Sequence, residues 1–230
     1  MGGKLERMAT LVLVRHGESL WNKENRFTGW IDIDLSEKGI EEAHEAAEKI
    51  KNKKIKFGKA YTSVLVRATR TLDIVLEDLG QKNIPVMKDA ALNERMYGDL
   101  QGMDKDEMRK KYGAKQVQAW RRSYSVKPPG GESLEDTCKR TLPYYKEKIM
   151  PDLLAGKNVL VSAHGNSLRS IVKYIENVSD EEIPEVEIPT GEPRVYEMEM
   201  KGRKLVVAKK EILRQRGGNK AIGTNKNIKN

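Results

Sequence analysis

The chain reads as an α/β three-layer sandwich: a mostly parallel central sheet with an antiparallel edge strand and helices on both faces. Two apolar runs predict it. Leu11 to Val14 and Val159 to Val161 are continuous rather than alternating, as expected of strands buried on both faces of a helix-covered parallel sheet. Between them, short strand-like stretches alternate with stretches of helical apolar periodicity. Near the end, Val195 to Met200 and Lys204 to Lys209 straddle Lys201-Gly202-Arg203 and read as an edge hairpin.

The first strand runs into Arg15, His16, Gly17, Glu18 and Ser19. Ligands of open parallel sheets bind at strand carboxyl ends, so these groups stand where a site is expected. Leu20 to Asp34 shows neither helical nor strand periodicity and reads as one long connection of the kind that carries function. Asn22, Arg26, Thr28 and Gly29 supply groups for an anion there, and Trp21, Phe27 and Trp30 anchor the loop. Ser36 caps a helix with apolar face Ile40, Ala43, Ala47 and Ile50. His44, on the same helix among glutamates, reads as a surface histidine.

Lys59 to Thr62 reads as a second strand. Ser63 is placed to cap the next helix, with stripe Leu65, Ala68, Leu72, Val75, Leu76 and Leu79 and Gly80 as its stop. Arg67 falls in the first turn, where a cation opposes the helix dipole unless an anionic ligand offsets it. After a short edge strand at Pro85 to Lys88, Asn93 to Gly102 forms a polar loop. Its Glu94 suits general acid/base work if burial or neighbouring anions raise its pKa.

Helices at Asp104 to Tyr112 and Ala114 to Arg122 carry Lys105 and the adjacent Arg121 and Arg122, side chains suited to carboxylate and phosphate. Pro128-Pro129-Gly130-Gly131 breaks the chain before a helix beginning near Glu132 and interrupted by Pro143 and Pro151. The late apolar strand ends in His164, Gly165 and Asn166, with a helix from Ser167 to about Glu176.

Two of only three histidines thus close a buried strand and precede a glycine. Glycine there lets the backbone approach a ligand and expose its amides. The pairing reads as a two-histidine anion site.

The 230-residue chain is expected to form one domain, with a flexible basic tail from about residue 217 and a loose terminus at residues 1 to 7. Residues 201 to 230 hold ten Lys or Arg against Glu211, which accounts for the whole net charge of +9 and leaves the preceding part neutral. With no basic, aromatic-interleaved surface, a nucleic-acid partner is not expected. The lone Cys138 makes no intramolecular disulfide, and no signal or spanning segment is evident, so a cytoplasmic protein without membrane association is expected. His16, Glu18 and His164 match a two-histidine, one-carboxylate metal pattern, but the arginines around them would repel a cation, and no metal is expected.

Arg15 to Ser19, Trp21-Asn22, Arg26 to Trp30, Asn93 to Arg95 with Tyr97-Gly98, Trp120 to Arg122 and His164 to Asn166 together resemble the histidine phosphatase superfamily. More narrowly, they resemble its cofactor-dependent phosphoglycerate mutases, over roughly residues 8 to 215. The resemblance implies interconversion of 3-phosphoglycerate and 2-phosphoglycerate, with His16 as a phosphohistidine primed by 2,3-bisphosphoglycerate. It makes Glu94 the proton donor and acceptor, and places His164, Arg15 and Arg67 on the transferring phosphoryl group. Asn22, Thr28, Gly29, Gly165 and Asn166 add donors. Tyr97, Lys105, Arg121 and Arg122 take the carboxylate and the other phosphate. A homo-oligomer, a dimer in preference to a monomer, is expected.

Two departures accompany this resemblance. The stretch from Arg122 to Glu132 is shorter than in many of these mutases and is similar to phosphatases of the superfamily, whose hydrolysis of small monoesters is the alternative reading. The basic tail is expected to shield phospho-His16 from water.

Overall fold

The computed structural model describes residues 8–201 and 204–214. The expected loose terminus, the hairpin turn at Gly202-Arg203 and the basic tail lie outside these residues.

Six strands form one sheet in the order β3-β2-β4-β1-β5-β6: β1 (Ala9–Arg15), β2 (Lys59–Thr62), β3 (Val86–Lys88), β4 (Val159–Ala163), β5 (Arg194–Lys201) and β6 (Lys204–Ile212). The first four are mutually parallel where they pair, β5 lies antiparallel on β1, and β6 closes the hairpin at the edge. Every residue of β4 is buried, as its unbroken apolar run requires.

Side chains alternate between the faces of β1. Leu11 and Leu13 pack with Leu168, Ile171 and Val172 of α8 (Gly165–Glu176) and with Tyr145 and Ile149. Val12 and Val14 pack with Ala46, Ala47 and Ile50 of α2 (Glu37–Lys51) and Leu72 and Val75 of α3 (Val66–Asp78). These are the three expected layers. Beyond the carboxyl edge, α4 (Lys105–Tyr112) and α5 (Ala114–Arg122) form a smaller cluster in which Met108, Val117 and Trp120 bury Phe27 and Leu100.

Four local expectations are corrected. Leu20 to Asp34 is not loop throughout: Ser19 and Asn22 form a reciprocal capping box that starts a one-turn helix, α1 (Leu20–Lys23). Ser63 is not the cap of α3, whose N-cap is Leu65 without a side-chain bond. α8 begins at Gly165, with His164 as N-cap, two residues earlier than expected. Pro143 lies inside α6 (Leu134–Tyr144) without interrupting it, whereas before Pro151 the α-helix gives way to a π-helical stretch, Tyr145–Ile149, and resumes as α7 (Met150–Leu154). Pro151 has no N–H for the carbonyl of Glu147, and widening the preceding turn accommodates its ring. The Ser36 cap, the Gly80 stop and the two arginine-bearing helices stand as expected.

Candidate active site

The pairing of β1 with β4 runs to Arg15 opposite Ala163, so the next residue of each strand, His16 and His164, stand abreast at the carboxyl edge. Their ring centroids are 4.9 Å apart. Close packing behind His16 fixes the turn: a Cβ on Gly17 would lie 2.0 Å from the carbonyl oxygen of Gly39 in α2. His16 Nδ1 lies 2.6 Å from the Gly17 carbonyl, which as acceptor requires the proton on Nδ1 and leaves the Nε2 lone pair free. His164 Nε2 is 2.7 Å from Ser63 Oγ, and its Nδ1 is buried without a partner. Both rings are held neutral well below the ordinary 6.5. Burial is the first cause for each, followed by the charge of Arg67, with Arg15 contributing to both.

These groups open on a cavity of about 110 Å³ lined by Arg15, His16, Asn22, Arg26, Phe27, Thr28, Gly29, Arg67, Glu94, Tyr97, Lys105 and Arg121. Arg67 is 1 % exposed and donates to the carbonyls of Gly29 (2.7 Å) and Ile31 (3.0 Å), fastening the loop after α1 to the site. Burial lowers its pKa to about 10, still a cation at neutral pH. Arg15 is tied to the carbonyl of Ile188 at 2.9 Å. The Nε atoms of Arg15 and Arg67 and the Thr28 hydroxyl are buried without a partner.

Glu94 faces the N-terminus of α8. Its Oε1 accepts from the amides of Arg95 (2.8 Å) and Asn166 (3.0 Å) and from Asn166 Nδ2 (2.9 Å). All three donors land on one oxygen, so Oε2 is the atom left for proton exchange. The pKa of Glu94 is lowered, not raised: burial pushes it up, but the Arg95 amide, Arg15, Asn166 and Arg67 together outweigh burial. An entering phosphate would offset the arginines' share of that lowering.

Tyr97, Lys105 and Arg121 line the same cavity. Burial, then the charges of Arg121 and Arg15, lower Lys105 to about 8. Asn166 bonds Glu94 and His164 stands against His16, but Gly165, Asn166 and His164 are not among the residues that line the cavity. Arg122, expected beside Arg121 on the substrate, does not line it either and pairs instead with Glu187 at 2.5 Å.

Three residues acquire a place here that local pattern did not assign. Ser63 bonds His164, Thr71 accepts from the Gly17 amide (3.2 Å), and Arg140 grips the backbone that carries Glu94. None of the three had a local signal, whereas Arg26, named for an anion in the loop after the first strand, lines the cavity. Glu18 is occupied elsewhere, accepting from Ser36 Oγ at 2.9 Å, and no group of three metal-ligating side chains occurs among the described residues. His44 is on the surface, 2.6 Å from Asp78. No helix among the described residues is long and apolar enough to cross a membrane.

The profile of the histidine phosphatase superfamily (branch 1) matches residues 11–211. A 2,3-bisphosphoglycerate-dependent phosphoglycerate mutase of Nitrobacter hamburgensis is 58% identical over 82% of this chain and 91% of its own. A phosphoglycerate mutase of Schizosaccharomyces pombe is 53% identical over 84% and 92%. Among solved structures, YhfR of Bacillus stearothermophilus superposes with a TM-score of 0.74 at 28% identity, covering 87% of this chain and 95% of that one. With a buried histidine pair among arginines and relatives this similar over nearly their whole length, the chain belongs to the histidine phosphatase superfamily and, within it, to the 2,3-bisphosphoglycerate-dependent phosphoglycerate mutases.

Proposed function

We propose that this enzyme interconverts 3-phosphoglycerate and 2-phosphoglycerate through a phosphohistidine at His16, in the cytoplasm and without a metal. The observation that carries the reading is the number of cations on one cavity: Arg15, Arg26, Arg67, Lys105 and Arg121 line it together with His16 and Glu94. Arg15 and Arg67 are the cations whose charge bears on both histidines and on Glu94, which leaves Arg26, Lys105 and Arg121 for a second anionic group. A substrate with two anionic ends uses both groups of cations; a simple monoester needs only the first.

Transfer of a phosphoryl group to a glycerate hydroxyl breaks the P–N bond at His16 Nε2 and forms a P–O bond, while Glu94 takes the hydroxyl proton. Return of the other phosphoryl group to Nε2 reverses these changes, and Glu94 gives its proton to the departing oxygen. The protein's work is to stabilise charge on the transferring oxygens. The unpartnered donors of Arg15, Arg67 and Thr28 suit that task, and the His164 ring stands 4.9 Å from that of His16. The same donors fit 2,3-bisphosphoglycerate, with Lys105 and Arg121 for its second phosphate. When bound, that cofactor supplies the phosphoryl group that first loads His16.

The test is conversion of 3-phosphoglycerate in chelator, with and without catalytic 2,3-bisphosphoglycerate, with His16→Ala alongside. Formation of 2-phosphoglycerate that needs both the cofactor and His16 is expected. Release of inorganic phosphate without 2-phosphoglycerate overturns the reading in favour of a phosphatase, and loss of turnover in chelator overturns the metal-free chemistry.

A further inference from the structure

We propose that Arg140 is a positioning residue for proton transfer, holding the backbone of Glu94 so that its carboxylate meets the reacting oxygen. The proposal rests on the role given to Glu94 above. Arg140 lies on α6, remote in sequence from the loop it grips. Its Nη1 donates to the carbonyls of Ala91 and Asn93, both at 3.0 Å, and its Nη2 donates to the carbonyl of Glu94 at 2.8 Å. The other edge of the guanidinium is locked by Glu132, with Nε to Oε1 at 2.9 Å and Nη2 to Oε2 at 2.9 Å. Its face stacks over Trp30, 5.4 Å from the ring centroid, and Trp30 Nε1 donates to the same Glu94 carbonyl at 2.5 Å.

This arrangement has a direction. A planar fork held on one edge by a carboxylate presents fixed donors on the other, which a lysine cannot reproduce. The segment from Ala90 to Asn93 is only a short 3₁₀ turn followed by extended chain, with no helix or sheet of its own to set the Glu94 carbonyl. Glu132 also accepts from the Met96 amide at 3.0 Å, so the Glu132–Arg140 pair clamps the chain on both sides of Glu94 and Arg95. The Glu94 carboxylate is then aimed from two directions, by Arg140 through the backbone and by Asn166 at Oε1. Both partners are about four-fifths buried, with side chains 19% and 20% exposed, so solvent weakens the clamp little.

The step that depends on this aim is protonation of a poor leaving group. An alkyl phosphate must receive a proton on its departing oxygen, whereas p-nitrophenyl phosphate loses p-nitrophenolate without one. Two rates are measured for wild type, Arg140→Gln, Arg140→Lys and Glu94→Gln. The first is turnover of 3-phosphoglycerate. The second is the initial burst of p-nitrophenolate as His16 is phosphorylated.

For Arg140→Gln, the expected result is a loss of kcat on 3-phosphoglycerate of about a hundredfold with KM nearly unchanged, the size of effect that a small misplacement of a reacting group produces. The burst should stay within about threefold of wild type, because a proton donor contributes only where a proton is needed. Glu94→Gln should show the same split, and Arg140→Lys should recover part of the loss. Equal losses on both substrates in Arg140→Gln, with the split present in Glu94→Gln, overturn the proposal and make Arg140 a purely structural residue. Absence of the split in Glu94→Gln overturns both the role of Glu94 and the proposal. The burst in each variant also reports that it has folded.

Discussion

His16 and His164 are the residues whose chemistry depends most on being buried, and that burial has a cost which pH reveals. Both imidazoles stay neutral in the folded protein well below 6.5, while in the unfolded chain they gain protons as pH falls through 6.5. The unfolded state then binds more protons, so stability is complete above that value and is lost as pH falls below it. Each ring contributes a slope of up to about 1.4 kcal/mol per pH unit. Urea unfolding between pH 7.5 and pH 5, about the range in which free imidazole titrates, should show this loss, and a His16→Gln/His164→Gln variant should show less of it. An unchanged slope in that variant would place the acid sensitivity elsewhere. The same depression keeps His16 Nε2 unprotonated, and so nucleophilic, in mildly acidic solution.

Among the elements, the junction of β1 with α2 is the tightest. Gly17 and Gly39 pack backbone to backbone, and a Cβ on either would lie 2.0 Å from a carbonyl oxygen across the contact. Gly17→Ala must therefore push β1 from α2, costing about 1–3 kcal/mol by overpacking and displacing His16. Thermal unfolding together with His16 phosphorylation checks this, and a variant with wild-type values for both would refute it. A second contact between elements explains why Arg122 stands outside the cavity. The chain from Val186 to Ile188 presents three successive carbonyls to Arg169, Arg194 and Arg15, and its Glu187 side chain to Arg122. Arg122 Nη1 is buried without a partner, and on the proposed function an anionic substrate would compete with Glu187 for this guanidinium. Glu187→Gln should lower KM for 3-phosphoglycerate by about two- to fivefold, the scale of a partly exposed ion pair. In an Arg122→Gln background the same change should have no effect; an equal effect in both backgrounds would separate Glu187 from Arg122.

At the scale of the whole molecule, charge is distributed in a way that composition conceals. The first 200 residues balance their acids and bases, yet the cavity gathers Arg15, Arg26, Arg67, Lys105 and Arg121 against the single acid Glu94. A cleft of one sign focuses field into solvent and draws in anions, an effect that salt screens over roughly 10 Å at 0.1 M. Raising the salt concentration with potassium acetate should therefore increase KM for 3-phosphoglycerate and leave kcat nearly constant. A KM insensitive to salt would show that the cations act only at contact.

Much of this protein was legible along the chain because its signals are local. The unbroken apolar runs of β1 and β4, the helical stripes, the Ser36 cap and the recurrence of histidine before glycine each depend on neighbours within a few residues. They were sufficient for the layers of the fold and for most of the cavity wall. The Ser63 bond to His164, the grip of Arg140 on the Glu94 backbone and the capture of Arg122 by Glu187 join residues 101, 46 and 65 positions apart. No periodicity encodes such meetings; they arise only when sheet order brings separate elements together. The sign of the shift at Glu94 belongs with them. A carboxylate's pKa is the balance of burial against every charge and donor around it, and Arg15, Arg67 and Asn166 reach Glu94 from three different elements. Which chemical groups stand at the strand ends follows from the order of residues along the chain; which of them are free, held or charged follows from the folded arrangement, because those properties belong to the assembled surroundings of a residue.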